Sequence, residues 1–167
     1  GQGDAILIQT PVGQNMLVDA GENEYGDVVV NYLISLGVKE LDIVVGTHPH
    51  SDHIGGLDTV INHFSIKTIY MPKVTQNTQS FRDVLTAIKD KGLKISTAQA
   101  GVDLPLNGVG CRFIAPVQNS YEDLNNYSGV IKLDYGSQSF LLTGDAGTES
   151  EAQMLAGGTN LKSTVLK

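Results

Sequence analysis

Three of the four histidines in this 167-residue chain stand within the run His48-Pro49-His50-Ser51-Asp52-His53. Imidazole and carboxylate are ligands that zinc and similar divalent ions accept. In an extended loop side chains alternate, so His48 and His50 can point the same way. Asp52 and His53 can then turn toward a second ion nearby. Pro49 stiffens the loop, Ser51 is small, and Gly55-Gly56 allows close backbone approach where the next helix begins. The bland alternative is a polar surface loop with chance histidines, and the crowding of three histidines into one run argues against it.

Two further carboxylates end apolar runs. Asp145 closes Leu141-Leu142-Thr143-Gly144-Asp145. It faces the same sheet edge as the histidine loop if both strands share one sandwich, and it could there bridge two ions. Read locally, a strand followed by Gly-Asp is equally a plain turn. Asp19 closes Val18-Asp19-Ala20-Gly21. It is either a turn carboxylate or a group that orients a ligand imidazole from behind, as metal-bound histidines usually require. His63 reads as an ordinary helical histidine and Cys111 as a core strand residue. Asn125-Asn126-Tyr127-Ser128 either lines a site or caps a turn, and Gln2-Gly3-Asp4 is similarly open. No P-loop, nucleophile elbow or CxxC motif occurs, so nucleophilic Ser or Cys chemistry has no support.

These residues need elements to position them. Ala5–Gln9 reads as a buried strand, and Asn15–Asp19 as the second strand of a hairpin. Asp27–Leu36 has helical spacing, with Val29, Leu33 and Leu36 on one face and Gly37 as the stop. Leu41–Gly46 is a nearly continuous apolar run, the pattern of a central strand buried on both faces. It feeds directly into the histidine loop. Ile54–Phe64 starts with two glycines and continues as a helix. Lys67–Met71 is a strand, Ser80–Lys91 a helix with Val84, Leu85 and Ile88 inward, and Lys94–Thr97 a strand. Then Cys111–Ala115, Val130–Tyr135 and Ser139–Thr143 are strands between Gly- and Asn-rich turns. Ala146–Leu155 is a short helix and Ser163–Leu166 begins a last strand. Alternation of strand and helix predicts α/β layering, with residues 1–167 as a single domain.

Composition sets limits. Hydrophobic residues make up 41% and charged residues 17%, with 19 glycines, which excludes a disordered or coiled-coil chain. A net charge of −7 argues against a broad nucleic-acid groove. That limit is weak at a site where bound divalent cations would attract phosphate. One cysteine excludes an internal disulfide framework. No apolar run approaches the length of a membrane span.

The order Asp19-Ala20-Gly21, Thr47-His48-Pro49-His50-Ser51-Asp52-His53-Ile54-Gly55-Gly56, Thr143-Gly144-Asp145 resembles the motif set of the metallo-β-lactamase superfamily. The opening Gly1-Gln2-Gly3-Asp4-Ala5 and the Asn125-Asn126-Tyr127-Ser128 segment narrow the resemblance to the ComEC-type competence (DNA-uptake) hydrolase domain and related stand-alone bacterial metallo-hydrolases. The resemblance implies a four-layer αβ/βα sandwich. It implies that His48 and His50 hold one ion, Asp52 and His53 a second, that Asp145 bridges, and that Asp19 supports the ligands. It also implies zinc, with manganese as an alternative, as two divalent ions. Asp52 would orient a metal-bound hydroxide.

Two departures from the family pattern matter. No histidine lies between His63 and Asp145, where many members place one. The family's Gly-His-His-Gly-type turn would follow Lys167, so the sequence reads as a domain truncated at both ends. The resemblance also implies a bacterial, extracytoplasmic or membrane-associated setting, with the full-length protein attached to a membrane channel domain. Its substrate would be a nucleic acid or a small phosphodiester, with an acyl hydrolase or a non-catalytic module with an incomplete site as alternatives.

Overall fold

The computed structural model describes residues 3–167; Gly1 and Gln2 of the opening run lie outside the described residues. Two sheets pack face to face. Sheet A has the order β1 (Ile6–Gln9), β2 (Asn15–Val18), β3 (Glu40–Val45), β4 (Ser65–Met71) and β5 (Ile95–Thr97). β1 and β2 form an antiparallel hairpin, while β2 through β5 run parallel. Sheet B has the order β6 (Gly110–Phe113), β7 (Ile131–Tyr135), β8 (Gln138–Leu142) and β9 (Val165–Leu166).

The α/β reading holds, and the layering follows from which side chains each strand face offers. One face of sheet A, with Leu17, Val44 and Ile69, is covered by α1 (Gly26–Ser35), α3 (Leu57–His63) and α4 (Gln79–Asp90). The other face, with Met16, Val18, Ile43, Val45 and Tyr70, meets Phe113, Ile131 and Leu133 of sheet B. Behind sheet B, Met154 of α5 (Thr148–Ala156) packs on Ile114, Val130 and Leu141. These are the four layers expected, helix–sheet–sheet–helix. β3 sits between β2 and β4 with four of its six residues buried, as its continuous apolar run requires.

Four expectations need correction. β1 is half-buried to exposed, because it pairs on one side only, with β2. In α1 the buried stripe is Gly26, Val30 and Leu33; Leu36 caps the helix and is exposed, and Gly37 turns the chain with φ 76°. In α4 the inward residues are Phe81, Val84, Ala87 and Ile88, spaced by helical turns, which rotates Leu85 to the surface. The predicted helix after the histidine run is two pieces, α2 (Ser51–Ile54) and α3, so Asp52 and His53 are already helical.

Candidate metal centre

The histidine loop lies at the carboxyl ends of the parallel strands, where open α/β sheets generally bind ligands. β2 ends in Asp19 and β3 leads into Thr47 and His48. Sheet B delivers Asp145 to the same edge, just beyond β8. The halves are stitched by Gly129 N–H donating to Thr47 O at 2.8 Å. The Asp145 N–H donates to Ser128 Oγ at 3.1 Å.

Asp19 organises the centre. It is fully buried, and it is the one non-glycine among the described residues with positive φ, 59°. Asp tolerates this conformation better than most residues, and such outliers gather at functional sites. Its carboxylate accepts from the Thr47 N–H at 2.8 Å and from the Thr47 hydroxyl at 2.7 Å. It also lies 2.8 Å from His53 Nδ1. With Asp19 ionised, His53 must carry its proton on Nδ1, which leaves the Nε2 lone pair facing outward. Thr47 spends its single hydroxyl proton on Asp19. Its oxygen, 3.1 Å from His48 Nδ1, can therefore only accept, so His48 is also protonated on Nδ1. One buried carboxylate thus sets the tautomer of two histidines, directly and through Thr47.

The freed nitrogens converge. His48 Nε2 is 3.1 Å from His50 Nδ1, and His53 Nε2 is 3.3 Å from Asp145 Oδ1. Two ligand atoms on one tetrahedral zinc are separated by about 3.3 Å when each bond is about 2.0–2.1 Å. Donor atoms of His48, His53 and Asp145 all lie within 4.8 Å of one another, so the residues present fit a divalent ion. Asp52 is more distant, with Oδ2 4.0 Å from His53 Nε2, and it is partly open to solvent, as is Asp145. His48 and His53 are buried and Asp145 is exposed, so the centre opens on one side.

Electrostatics follows from burial. His48 is held down to a pKa of about 3 by its removal from water, with His53 and His50 adding repulsion. Burial works against charge on His53 too, but the Asp19 hydrogen bond and the carboxylates of Asp19, Asp145 and Asp52 outweigh it and raise its pKa. Burial raises Asp19, against the opposing pull of His53 and Thr47.

The structure therefore brings Asp19, His48, His50, Asp52, His53 and Asp145 to one place, and leaves His63 exposed on α3, away from them. Sequence reasoning gave no role to Thr47 and left Ser128 and Asn126 open. Ser128 holds the Asp145 backbone, and Asn126 Oδ1 accepts from the N–H groups of Gly147 and Ser150 at the start of α5. A polar residue directly before the first histidine was the available signal for Thr47.

The family model for the metallo-beta-lactamase superfamily matches residues 1–162. Among curated relatives, ComE operon protein 3 of Bacillus subtilis (strain 168) is 28% identical over 184 residues, covering 100% of this chain and 24% of that protein. Competence protein ComA of Neisseria gonorrhoeae is 28% identical over 168 residues, covering 99% of this chain and 22% of that protein. The chain thus spans about a quarter or less of the relatives it matches. Among solved structures, a Cronobacter sakazakii metallo-beta-lactamase with a HARLDQ motif superposes with TM-score 0.62 at 13% identity, covering 99% of this chain and 73% of that one.

Proposed function

The chain belongs to the metallo-beta-lactamase superfamily, and from that premise we propose that it is a metal-dependent hydrolase of phosphodiester bonds. The observation that carries the metal reading is the Asp19 relay, which fixes Nδ1–H on His53 and His48 and leaves both Nε2 atoms free, that of His53 beside Asp145 and that of His48 beside His50. His48 and His50 would hold one ion, His53 and Asp52 a second, with Asp145 between them. Nitrogen and carboxylate donors suit zinc, and manganese also accepts such a set. Such ions supply Lewis acidity and lower the pKa of a water molecule toward neutrality.

The chain's own residues do the rest. Asp52, partly open to solvent, would orient the attacking water while binding metal. Asp19 touches no substrate and acts as a positioning residue. Support for a phosphodiester comes from relatives such as the Neisseria competence protein, in line with the resemblance to DNA-uptake hydrolase domains, and from the open side of the site. The net charge of −7 favours a short single strand or small diester over a long duplex groove.

The same relatives support a DNA-uptake setting at a membrane for the protein as a whole. Among the described residues no helix is long and apolar enough to cross a membrane.

The test is a substrate panel on chelator-stripped protein reloaded with zinc or manganese. A chromogenic phosphodiester should turn over in a metal-dependent way, with the rate lost in His50→Ala. Faster turnover of nitrocefin or a thioester would move the assignment to acyl transfer. Phosphodiester turnover that survives His50→Ala would remove the site from the reaction.

A further inference from the structure

We propose that Asp4 and Lys167 form a clasp across the two halves of the metal centre, with both acting as positioning residues. The inference rests on the metal reading above. Lys167 Nζ sits 2.5 and 2.6 Å from the two Asp4 carboxylate oxygens. Each partner is tied to a different half. The Asp4 carbonyl accepts from the Gly21 N–H at 2.8 Å, just after Asp19. Its carboxylate lies within 4.8 Å of ligand atoms of both Asp19 and His53. The preceding residue runs hard against the metal loop: a Cβ on Gly3 would fall 2.1 Å from Asp52 O, and its φ of 88° suits only glycine.

Lys167 belongs to sheet B. Its N–H donates to Leu141 O at 2.9 Å, and its carbonyl accepts from the Thr143 N–H at 2.8 Å. It is therefore fixed to the strand end that leads through Gly144 into Asp145. The Asp4–Lys167 pair joins the loop bearing Asp52 and His53 to the strand bearing Asp145. The Asp145 carboxylate is 43% exposed and has one backbone anchor near it, Ser128. Its distance to His53 depends on how the two halves are held together.

Charge points the same way. Asp4, Asp19, Asp52 and Asp145 gather around the histidines, and Lys167 is the one lysine or arginine paired with any of them among the described residues. An ordinary exposed ion pair would be worth little. This one has a carboxylate only 15% exposed, beside a buried acid, and it spans the centre.

The experiment measures Co2+ affinity by competition with a chromophoric chelator, and the Co2+ absorption spectrum, for the protein and for Lys167→Met, Asp4→Asn and Lys167→Arg. Melting temperatures are recorded without metal. The clasp predicts affinity about tenfold or more weaker in Lys167→Met and Asp4→Asn, in line with losses on removing groups that support ligands. It also predicts an altered spectrum and recovery in Lys167→Arg, which keeps a charge able to span both oxygens. Affinities within about twofold of the parent, with an unchanged spectrum, would overturn the clasp even if melting temperatures fell. A parent protein that binds no Co2+ would overturn the proposed function and the clasp together; binding by the parent with no effect of the variants would overturn the clasp alone.

Discussion

Asp19 has the most specific role of any side chain at the centre, because it sets two tautomers from one buried position. Asp19→Asn keeps the shape but leaves one acceptor oxygen where there were two, so the Thr47 N–H and the His53 Nδ1–H can no longer both be accepted. Metal affinity should fall about 10–100-fold by chelator competition, with His48 and His50 still in place. A second expectation concerns pH. His48 is depressed to about 3 from an ordinary 6.5, so the unfolded chain binds a proton that the folded chain refuses between those values. Stability of the metal-free protein should therefore fall as pH drops through that window, by at most about 1.4 kcal/mol per pH unit from this residue. His53, raised above its ordinary value, works in the opposite direction, adding stability at low pH that is lost as pH rises through its folded value. Denaturant curves for the protein and for His48→Gln at several pH values isolate the His48 part: their difference should shrink toward acid pH. The histidine run itself was legible because its ligands are neighbours in sequence. Thr47 and Ser128 were not, because their partners lie 28 and 17 residues away and only the fold supplies them.

At the scale of elements, strands and helices were legible to within a residue or two except at α2, which was read as loop, since alternation and helical spacing reflect burial directly. What periodicity misjudged was which of two neighbouring apolar residues points inward. Leu85 and Leu36 carry the right chemistry on the wrong face, and only the packing of α4 and α1 on sheet A decides it. The break between α2 and α3 was signalled by Gly55-Gly56, and the structure gives its reason. A Cβ on Gly56 would stand 2.4 Å from Ala20 O and 3.0 Å from Gly26 Cα, both backbone. That close packing lets the Ala20 N–H donate to His53 O at 2.8 Å, and so seats the helix that carries His53 against the strand end that carries Asp19. Gly56→Ala should destabilise by about 1–3 kcal/mol in urea, as overpacking a tight site does. It should weaken metal binding as well, since relief requires moving α2.

For the molecule as a whole, the sandwich was legible in the order of elements and in the resemblance of its motifs. The crossing of the centre by Asp4 and Lys167, at opposite ends of the sequence, was not. The central claim is that the centre formed by His48, His50, Asp52, His53 and Asp145 holds divalent metal, with His48 among the ligands. The measurement that meets it most directly is calorimetric titration of chelator-stripped protein with zinc, alongside His48→Ala, with melting temperature followed at the same concentrations. The account predicts saturable binding that is lost in the variant, and a stability gain of about 2.7 kcal/mol at a hundredfold excess over Kd. Zinc binding that is equal in His48→Ala, or no binding and no thermal shift in the parent, would contradict it.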